Sequence, residues 1–163
     1  MKKDFVNQQI EIYGEPDIGK TEYTLSLLDK DDAVVYIDSD RKLRREQVPD
    51  LPGFYIMYPR NVLDIFEMVT KVSKFVDVIV IDSLPTINNK GEAMINNKAF
   101  EKDVISYIQD IISICKKNKC AIIIVNQIRF NGKKNVTYGI KRLGLYYSIR
   151  IEVLQDTINI HYR

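Results

Sequence analysis

The stretch with the most definite chemistry runs from residue 14 to residue 21 and reads Gly-Glu-Pro-Asp-Ile-Gly-Lys-Thr. Two glycines five residues apart let a backbone turn point its N–H groups at phosphate oxygens. The lysine offers a positive charge to the terminal phosphates of a nucleotide, and the threonine hydroxyl is a Mg²⁺ ligand. The spacing predicts a phosphate-binding loop, or P-loop, for ATP and Mg²⁺; the alternative is a glycine turn that binds nothing. The predicted nucleotide contacts are Gly14, Glu15, Pro16, Asp17, Ile18, Gly19, Lys20 and Thr21.

The residues around this loop predict the strand and the helix that a P-loop requires. Residues 9–13 alternate as in a strand, and the segment from Glu22 to Lys30 carries three leucines without glycine or proline, as in a helix. Two acidic residues, Glu15 and Asp17, lie inside a loop meant for anions. We expect their side chains to point outward.

A second landmark is the continuous apolar strand of residues 76–83, which ends in Asp82. A P-loop NTPase needs a carboxylate at the end of a neighbouring strand to hold Mg²⁺ opposite the P-loop hydroxyl. Asp82 alone is a weak signal, but after a P-loop it is a strong one. Thr21 and Asp82 are therefore the predicted metal-site residues.

Two further strands end in polar residues. The strand of residues 33–37 leads into Asp40, and the strand of residues 120–125 leads into Gln127. Ligands of an open α/β sheet gather at the carboxyl ends of its strands. Asp40 is thus a candidate for polarising an attacking water, with a solvated turn as the alternative, and Gln127 could sense the γ-phosphate. Lys20, Asp40 and Gln127 form the predicted catalytic set.

Two segments are rich in cations. Residues 41–45 include four cationic side chains. This run is either a solvated face or a contact to a nucleotide or nucleic acid. Residues 129–142 contain no acid and interleave cations with aromatic rings, a pattern that suits a single-stranded nucleic acid because phosphates pair with charge and bases stack on rings. The rival interpretation is a solvated loop. The candidate DNA contacts are Arg129, Phe130, Lys133, Lys134, Tyr138, Lys141 and Arg142.

The whole-chain composition is that of one ordinary globular domain over residues 1–163, with 45% hydrophobic and 28% charged residues and a net charge of +2. Cys115 and Cys120, with one histidine in the chain, cannot assemble a Cys/His metal site, and we expect both to be reduced and buried. The longest aliphatic run, residues 121–125, is too short to span a bilayer. We expect a cytoplasmic protein with no membrane role.

Four motifs, in the same order, resemble the RecA/RadA recombinase ATPases. The Asn-Gln-Ile-Arg run is the most specific, because generic P-loop proteins do not share it, and the resemblance covers nearly the whole chain. The motifs are residues 10–14 leading into the P-loop, residues 76–83, residues 125–129 and residues 147–151.

The resemblance implies an α/β fold: a RecA-like P-loop NTPase core, mostly a parallel sheet with helices on both faces. Residues 145–153 and 157–162 alternate and add a C-terminal antiparallel hairpin. The resemblance further implies ATP hydrolysis at a subunit interface and self-association as a filament or ring. It also implies that two loops, at residues 85–97 and 128–144, hold single-stranded DNA. Asp40 would stand where the family has its catalytic glutamate, and Gln127 would be the γ-phosphate sensor.

Departures from the family pattern shape the expected activity. Asp40 reaches about one methylene less far than a glutamate, which predicts slow turnover. The second loop is several residues shorter than in bacterial RecA, and Gly144 occupies the position of a cation that contacts the neighbour's nucleotide. We expect a core-only version, of the sort carried by phages and mobile elements, without the family's N-terminal polymerisation segment or C-terminal duplex-binding domain.

Three functions can be weighed from these residues. The leading one is an ATP-dependent single-stranded DNA-binding ATPase acting in homologous recombination, strand annealing or DNA repair. The alternative is a RecA-fold ATP-binding switch or assembly module with little hydrolysis and no direct DNA role. A small-molecule kinase is disfavoured by the run at residues 126–129 and by the absence of an evident acceptor site.

Overall fold

The computed structural model describes residues 1, 3–83, 98–130, 135–137 and 143–163. Its helices are α1 (Lys20–Ser26), α2 (Val62–Val72) and α3 (Lys98–Asn118). Its strands are β1 (Gln9–Gly14), β2 (Val34–Asp38), β3 (Phe54–Met57), β4 (Val78–Asp82), β5 (Ala121–Phe130), β6 (Asn135–Thr137), β7 (Ile149–Val153) and β8 (Ile158–Tyr162).

One sheet organises these elements, with strand order β3-β2-β4-β5-β1-β7-β8. Neighbouring strands from β3 to β7 pair in parallel, whereas β8 pairs antiparallel with β7 and β6 pairs antiparallel with β5. The predicted mostly parallel sheet with a C-terminal antiparallel hairpin is confirmed. The register places Asp38 opposite Asp82 and Gly14 opposite Gln127, so the polar strand ends meet along one edge.

Helices cover both faces of the sheet, as predicted. On one face, α2 and α3 pack residues such as Ile65 and Ile108 against β4 and β5. On the other face, α1 and the N-terminal residues pack against the same strands, through Leu27 and Phe5. Parallel strands buried on both faces read as continuous apolar runs, which is the pattern of β4 and β5.

Local side-chain hydrogen bonds determine where two of the helices begin or end. The side-chain oxygen of Asn61 accepts the backbone N–H of Asp64 at 2.9 Å, which caps the start of α2. In contrast, α1 ends at Ser26, four residues before the predicted end. The carboxylate of Asp32 accepts the N–H of Asp29 at 2.7 Å, and this local bond competes with further helix.

The start of the predicted second DNA loop is a strand rather than a loop. Strand β5 continues to Phe130 and pairs with β6, with Ile128 opposite Thr137. The β-branched residues at 136 and 137 favour this extension.

Both cysteines, Cys115 and Cys120, are fully buried and unpaired, as expected. Within the described ranges, no helix is both long and apolar enough to cross a membrane.

Candidate nucleotide-binding site

The backbone of the P-loop requires both of its glycines. A Cβ atom on Gly14 would lie 2.5 Å from the backbone oxygen of Val153, because β7 passes directly beside the loop. Gly19, which precedes α1, has a φ of +87°, a left-handed conformation that side chains rarely adopt. The loop shape is therefore fixed by the fold around it, independently of any ligand.

Lys20 is buried, with 8% of its surface exposed, and its ammonium donates to the backbone oxygen of Glu15. Burial lowers the pKa of Lys20, while the nearby Asp82 and Asp17 carboxylates raise it. The side chains of Glu15 and Asp17 are exposed, and Asp17 lies beside the cavity and not away from it. The lysine charge is thus directed into the loop and is poorly solvated without an anion beside it.

The two predicted metal-site residues are in direct contact. The hydroxyl of Thr21 donates to Asp82 Oδ2 at 2.7 Å, and the hydroxyl of Tyr36 donates to the same oxygen at 2.5 Å. Burial raises the pKa of Asp82, and the hydrogen bonds from Tyr36 and Thr21 lower it. A partly desolvated carboxylate beside a P-loop hydroxyl suits a divalent cation.

The two aspartates that follow β2 have different surroundings. Asp38 is buried, and its carboxylate accepts the backbone N–H groups of Lys42 and Leu43, each at 3.0 Å. Asp40 accepts the hydroxyl of Ser83 at 3.1 Å and pairs with the Lys42 ammonium at 3.3 Å. Asp38 therefore holds the turn, and Asp40 remains the candidate for contact with water.

Gln127 lies at the end of an ordered polar network. Its backbone N–H donates to the Asn126 side chain at 2.9 Å, and Asn126 donates to Glu11 at 2.9 Å. Arg150 donates to the other Glu11 oxygen at 2.6 Å and stacks over the ring of Tyr13. Burial raises the pKa of Glu11, and the Arg150 charge lowers it. This network fixes the part of β5 that lies beside the end of β1, where the predicted sensor Gln127 is located.

A cavity of about 680 Å³ is lined by the predicted catalytic and metal-site residues and by five of the eight predicted nucleotide contacts; Gly14, Glu15 and Ile18 are not among its lining residues. That volume lies within the range of small-molecule sites, about 300–1,000 Å³. A buried ammonium, a threonine hydroxyl and a carboxylate at one cavity wall fit a Mg²⁺-bound triphosphate. The lining includes Lys20, Thr21, Asp40, Asp82 and Gln127, together with Pro16, Asp17, Gly19, Glu22, Asp38, Lys42, Arg44, Gln47, Ser83 and Val125.

Several lining residues were not identified from the sequence. Lys42 and Arg44 belong to the cationic run that follows β2, and their position favours the nucleotide-contact interpretation over a purely solvated face. The sequence feature that indicated these residues was the cationic run, because it comes shortly after a strand that ends at the predicted site. Ser83, which also lines the cavity, gave no such signal.

Two of the candidate DNA contacts belong to a described strand. Arg129 and Phe130 lie at the end of β5. Lys133, Lys134, Tyr138, Lys141, Arg142 and the first predicted DNA loop, residues 85–97, lie outside the described residues. The DNA-binding assignment therefore stays a prediction.

The sheet order, the loop between β1 and α1, and the carboxylate that ends β4 define a P-loop nucleotide-binding fold of the α/β class. Residues 6–161 match the family model described as the RecA N-terminal domain, and the chain belongs to the RecA family. The resemblance that the motifs indicated is thus confirmed.

Individual relatives agree with this assignment. The chain is 27% identical to Protein RecA of Acinetobacter baumannii (strain AYE) over 165 residues, which cover 88% of this chain and 47% of that protein. It is 28% identical to Protein RecA of Campylobacter lari over 166 residues, covering 88% and 48%. The crystal structure of the RadB recombinase matches with a TM-score of 0.66 at 19% identity, over 96% of this chain and 81% of that one. The chain spans about half the length of the curated relatives that it matches.

Proposed function

We propose that this chain is a Mg²⁺-dependent ATPase that binds single-stranded DNA and acts in homologous recombination, strand annealing or DNA repair. The observation that carries the proposal is the convergence of Lys20, Thr21 and Asp82 on one cavity that Asp40 and Gln127 also line. Family membership supports the same activity. The proposal includes self-association, as in the family to which the motifs point.

Each residue has a distinct task in the proposed reaction. Lys20 binds the terminal phosphates, and Thr21 with Asp82 would hold Mg²⁺, which neutralises charge that develops on the phosphate oxygens. Asp40 orients the attacking water and takes its proton. Both described contacts of Asp40 use Oδ2, so its second oxygen is available for that water. Gln127 contacts the γ-phosphate from its position in β5, opposite Gly14 of the P-loop.

The substitution Asp40→Asn tests the hydrolytic step. We expect phosphate release to fall by about 100-fold or more, because general-base groups contribute about 10²–10⁴-fold. The dissociation constant for ATP should change by less than about threefold, since Asp40 is assigned to the water and not to the phosphates. Phosphate release and calorimetry measure the two quantities. Asp156→Asn, an exposed carboxyl in the turn between β7 and β8, is the control. Unchanged hydrolysis in the Asp40 variant would remove that residue from the mechanism.

A second candidate, an ATP-binding switch with little turnover, is favoured by one observation. The Asp40 carboxylate is already engaged by Ser83 and Lys42, and it is shorter than the glutamate of the family. The discriminating experiment measures phosphate release with and without single-stranded DNA, alongside sedimentation with and without ATP. A switch would assemble on ATP yet release little phosphate under either condition. An ATPase would release phosphate faster when DNA is added.

DNA binding is tested by changing Lys133 and Lys134 together to glutamate. We expect weaker binding of a single-stranded oligonucleotide and a salt dependence whose slope falls by about 1.4, because each lost phosphate contact removes about 0.7 from that slope. Fluorescence anisotropy at several salt concentrations measures both effects.

A matched control for the DNA test is the pair Lys116 and Lys117, two exposed lysines in the last turn of α3. Changing them to glutamate alters the net charge by the same amount at a different place. If both double variants lose affinity equally, the effect reflects overall charge and the segment at residues 129–142 is not the DNA contact.

A further inference from the structure

Tyr36 is a core residue of β2 whose polar end reaches the candidate metal site. Its side chain is fully buried, and its hydroxyl donates to Asp82 Oδ2 on the adjacent strand β4. Thr21 donates to the same oxygen from the opposite element, the P-loop helix. Asp82 is thus held by one hydroxyl from each side.

Packing alone does not explain the hydroxyl of Tyr36. The ring packs against Phe54, with ring centroids 5.7 Å apart, and a phenylalanine would fill the same space. A buried hydroxyl costs free energy unless it is hydrogen-bonded. The described hydrogen-bond partners of the Tyr36 hydroxyl are the Asp82 carboxylate, which we assign to Mg²⁺, and the Thr21 hydroxyl.

Two donors on one oxygen fix the rotation of the carboxylate. Both described hydrogen bonds to Asp82 use Oδ2, and within the described part of the chain no donor reaches Oδ1. The carboxylate also lines the cavity. Oδ1 is therefore the oxygen available to the metal or to a water bound to it, and its direction depends on the two hydroxyls at Oδ2.

We infer that Tyr36 is a positioning residue of the metal site: it orients Asp82 towards Mg²⁺ and does not itself touch the nucleotide. The inference rests on the proposed function, because it assigns Tyr36 a role in the same Mg²⁺-dependent site. Groups that orient metal ligands in this way typically contribute about 10–100-fold to metal affinity or activity.

The test is Tyr36→Phe, which removes the hydroxyl and keeps the ring. At saturating ATP, the Mg²⁺ concentration that gives half-maximal phosphate release should rise about tenfold or more. ATP affinity measured in EDTA should stay within about twofold of the unmodified protein, because the phosphate-binding lysine is untouched. A purely structural role for Tyr36 would lower the unfolding temperature and leave the Mg²⁺ titration where it was.

Tyr147→Phe is the matched control, because Tyr147 is also buried and its hydroxyl has no hydrogen-bond partner among the residues that the structure describes. Its Mg²⁺ titration should be unchanged. All titrations are run well below the unfolding midpoint of each variant, so that a loss of stability cannot mimic a loss of metal affinity. An unshifted Mg²⁺ titration for Tyr36→Phe overturns the inference, whatever the stability of that variant.

The two possible failures give different results. If the unmodified protein shows no Mg²⁺-dependent ATP binding by calorimetry, the proposed function fails and Tyr36 has no metal to position. If the unmodified protein binds Mg²⁺ and ATP and Tyr36→Phe does so equally well, only the positioning role is wrong.

Discussion

The substitution Lys20→Ala is expected to weaken ATP binding by about 3 kcal/mol, or about 150-fold in affinity. Hydrogen bonds to charged groups contribute about 1.5–3 kcal/mol each, and the buried Lys20 ammonium is placed to donate more than one of them to a triphosphate. Hydrolysis should fall with binding. Isothermal calorimetry with Mg²⁺ and ATP measures the effect directly.

Loss of binding in this variant should not come from loss of folding. Burial lowers the pKa of Lys20, which means that the charged ammonium is unfavourable for the folded chain in the absence of ligand. The alanine variant without nucleotide should therefore be at least as stable as the unmodified protein. Lys30→Ala, an exposed lysine just beyond α1, is the matched control and should bind ATP normally. ATP affinity and hydrolysis both unchanged in Lys20→Ala would show that the loop does not hold the nucleotide.

The parts of the site that the sequence predicts are those set by short-range spacing or by the rules of parallel sheets. The P-loop is eight contiguous residues, so its chemistry can be read without knowing the fold. Asp40, Asp82 and Gln127 were predictable because each follows an apolar strand, and the carboxyl ends of parallel strands share one edge. All three residues line one cavity.

The parts that could not be predicted depend on which strands are neighbours. Tyr36 reads as one more core residue of a buried strand, and its partner Asp82 lies 46 residues away on a strand whose adjacency to β2 is a property of the sheet order. The Glu11 network is similar, because Asn126 and Arg150 reach Glu11 from the strands on either side of β1. Sequence periodicity indicates which residues are buried, but not which polar groups meet there.

A substitution at Asp82 is expected to change stability and Mg²⁺ binding in opposite directions. Burial raises the pKa of this carboxyl above its ordinary value of 3.8, so at neutral pH the ionised group lowers the stability of the folded chain. Asp82→Asn removes the charge. Since Thr21 and Tyr36 both donate to one oxygen, an asparagine with its carbonyl in that position keeps both hydrogen bonds.

We therefore expect Asp82→Asn to unfold at a higher temperature than the unmodified protein at pH 7–8 without nucleotide, by roughly 2–4 °C for each kcal/mol gained. The gain should shrink as the pH falls towards 3.8, because the native carboxyl is then protonated and no longer carries the unfavourable charge. With Mg²⁺ and ATP the order should reverse, since an amide replaces the metal-site carboxylate and Mg²⁺ affinity should drop about 100-fold. Thermal unfolding across pH, with and without Mg²⁺ and ATP, measures all three effects.

Two outcomes would contradict this prediction. An Asp82→Asn variant that is less stable at every pH would show that the two hydroxyls require a charged acceptor. A variant that keeps its Mg²⁺-dependent stabilisation would show that Asp82 is not at the metal.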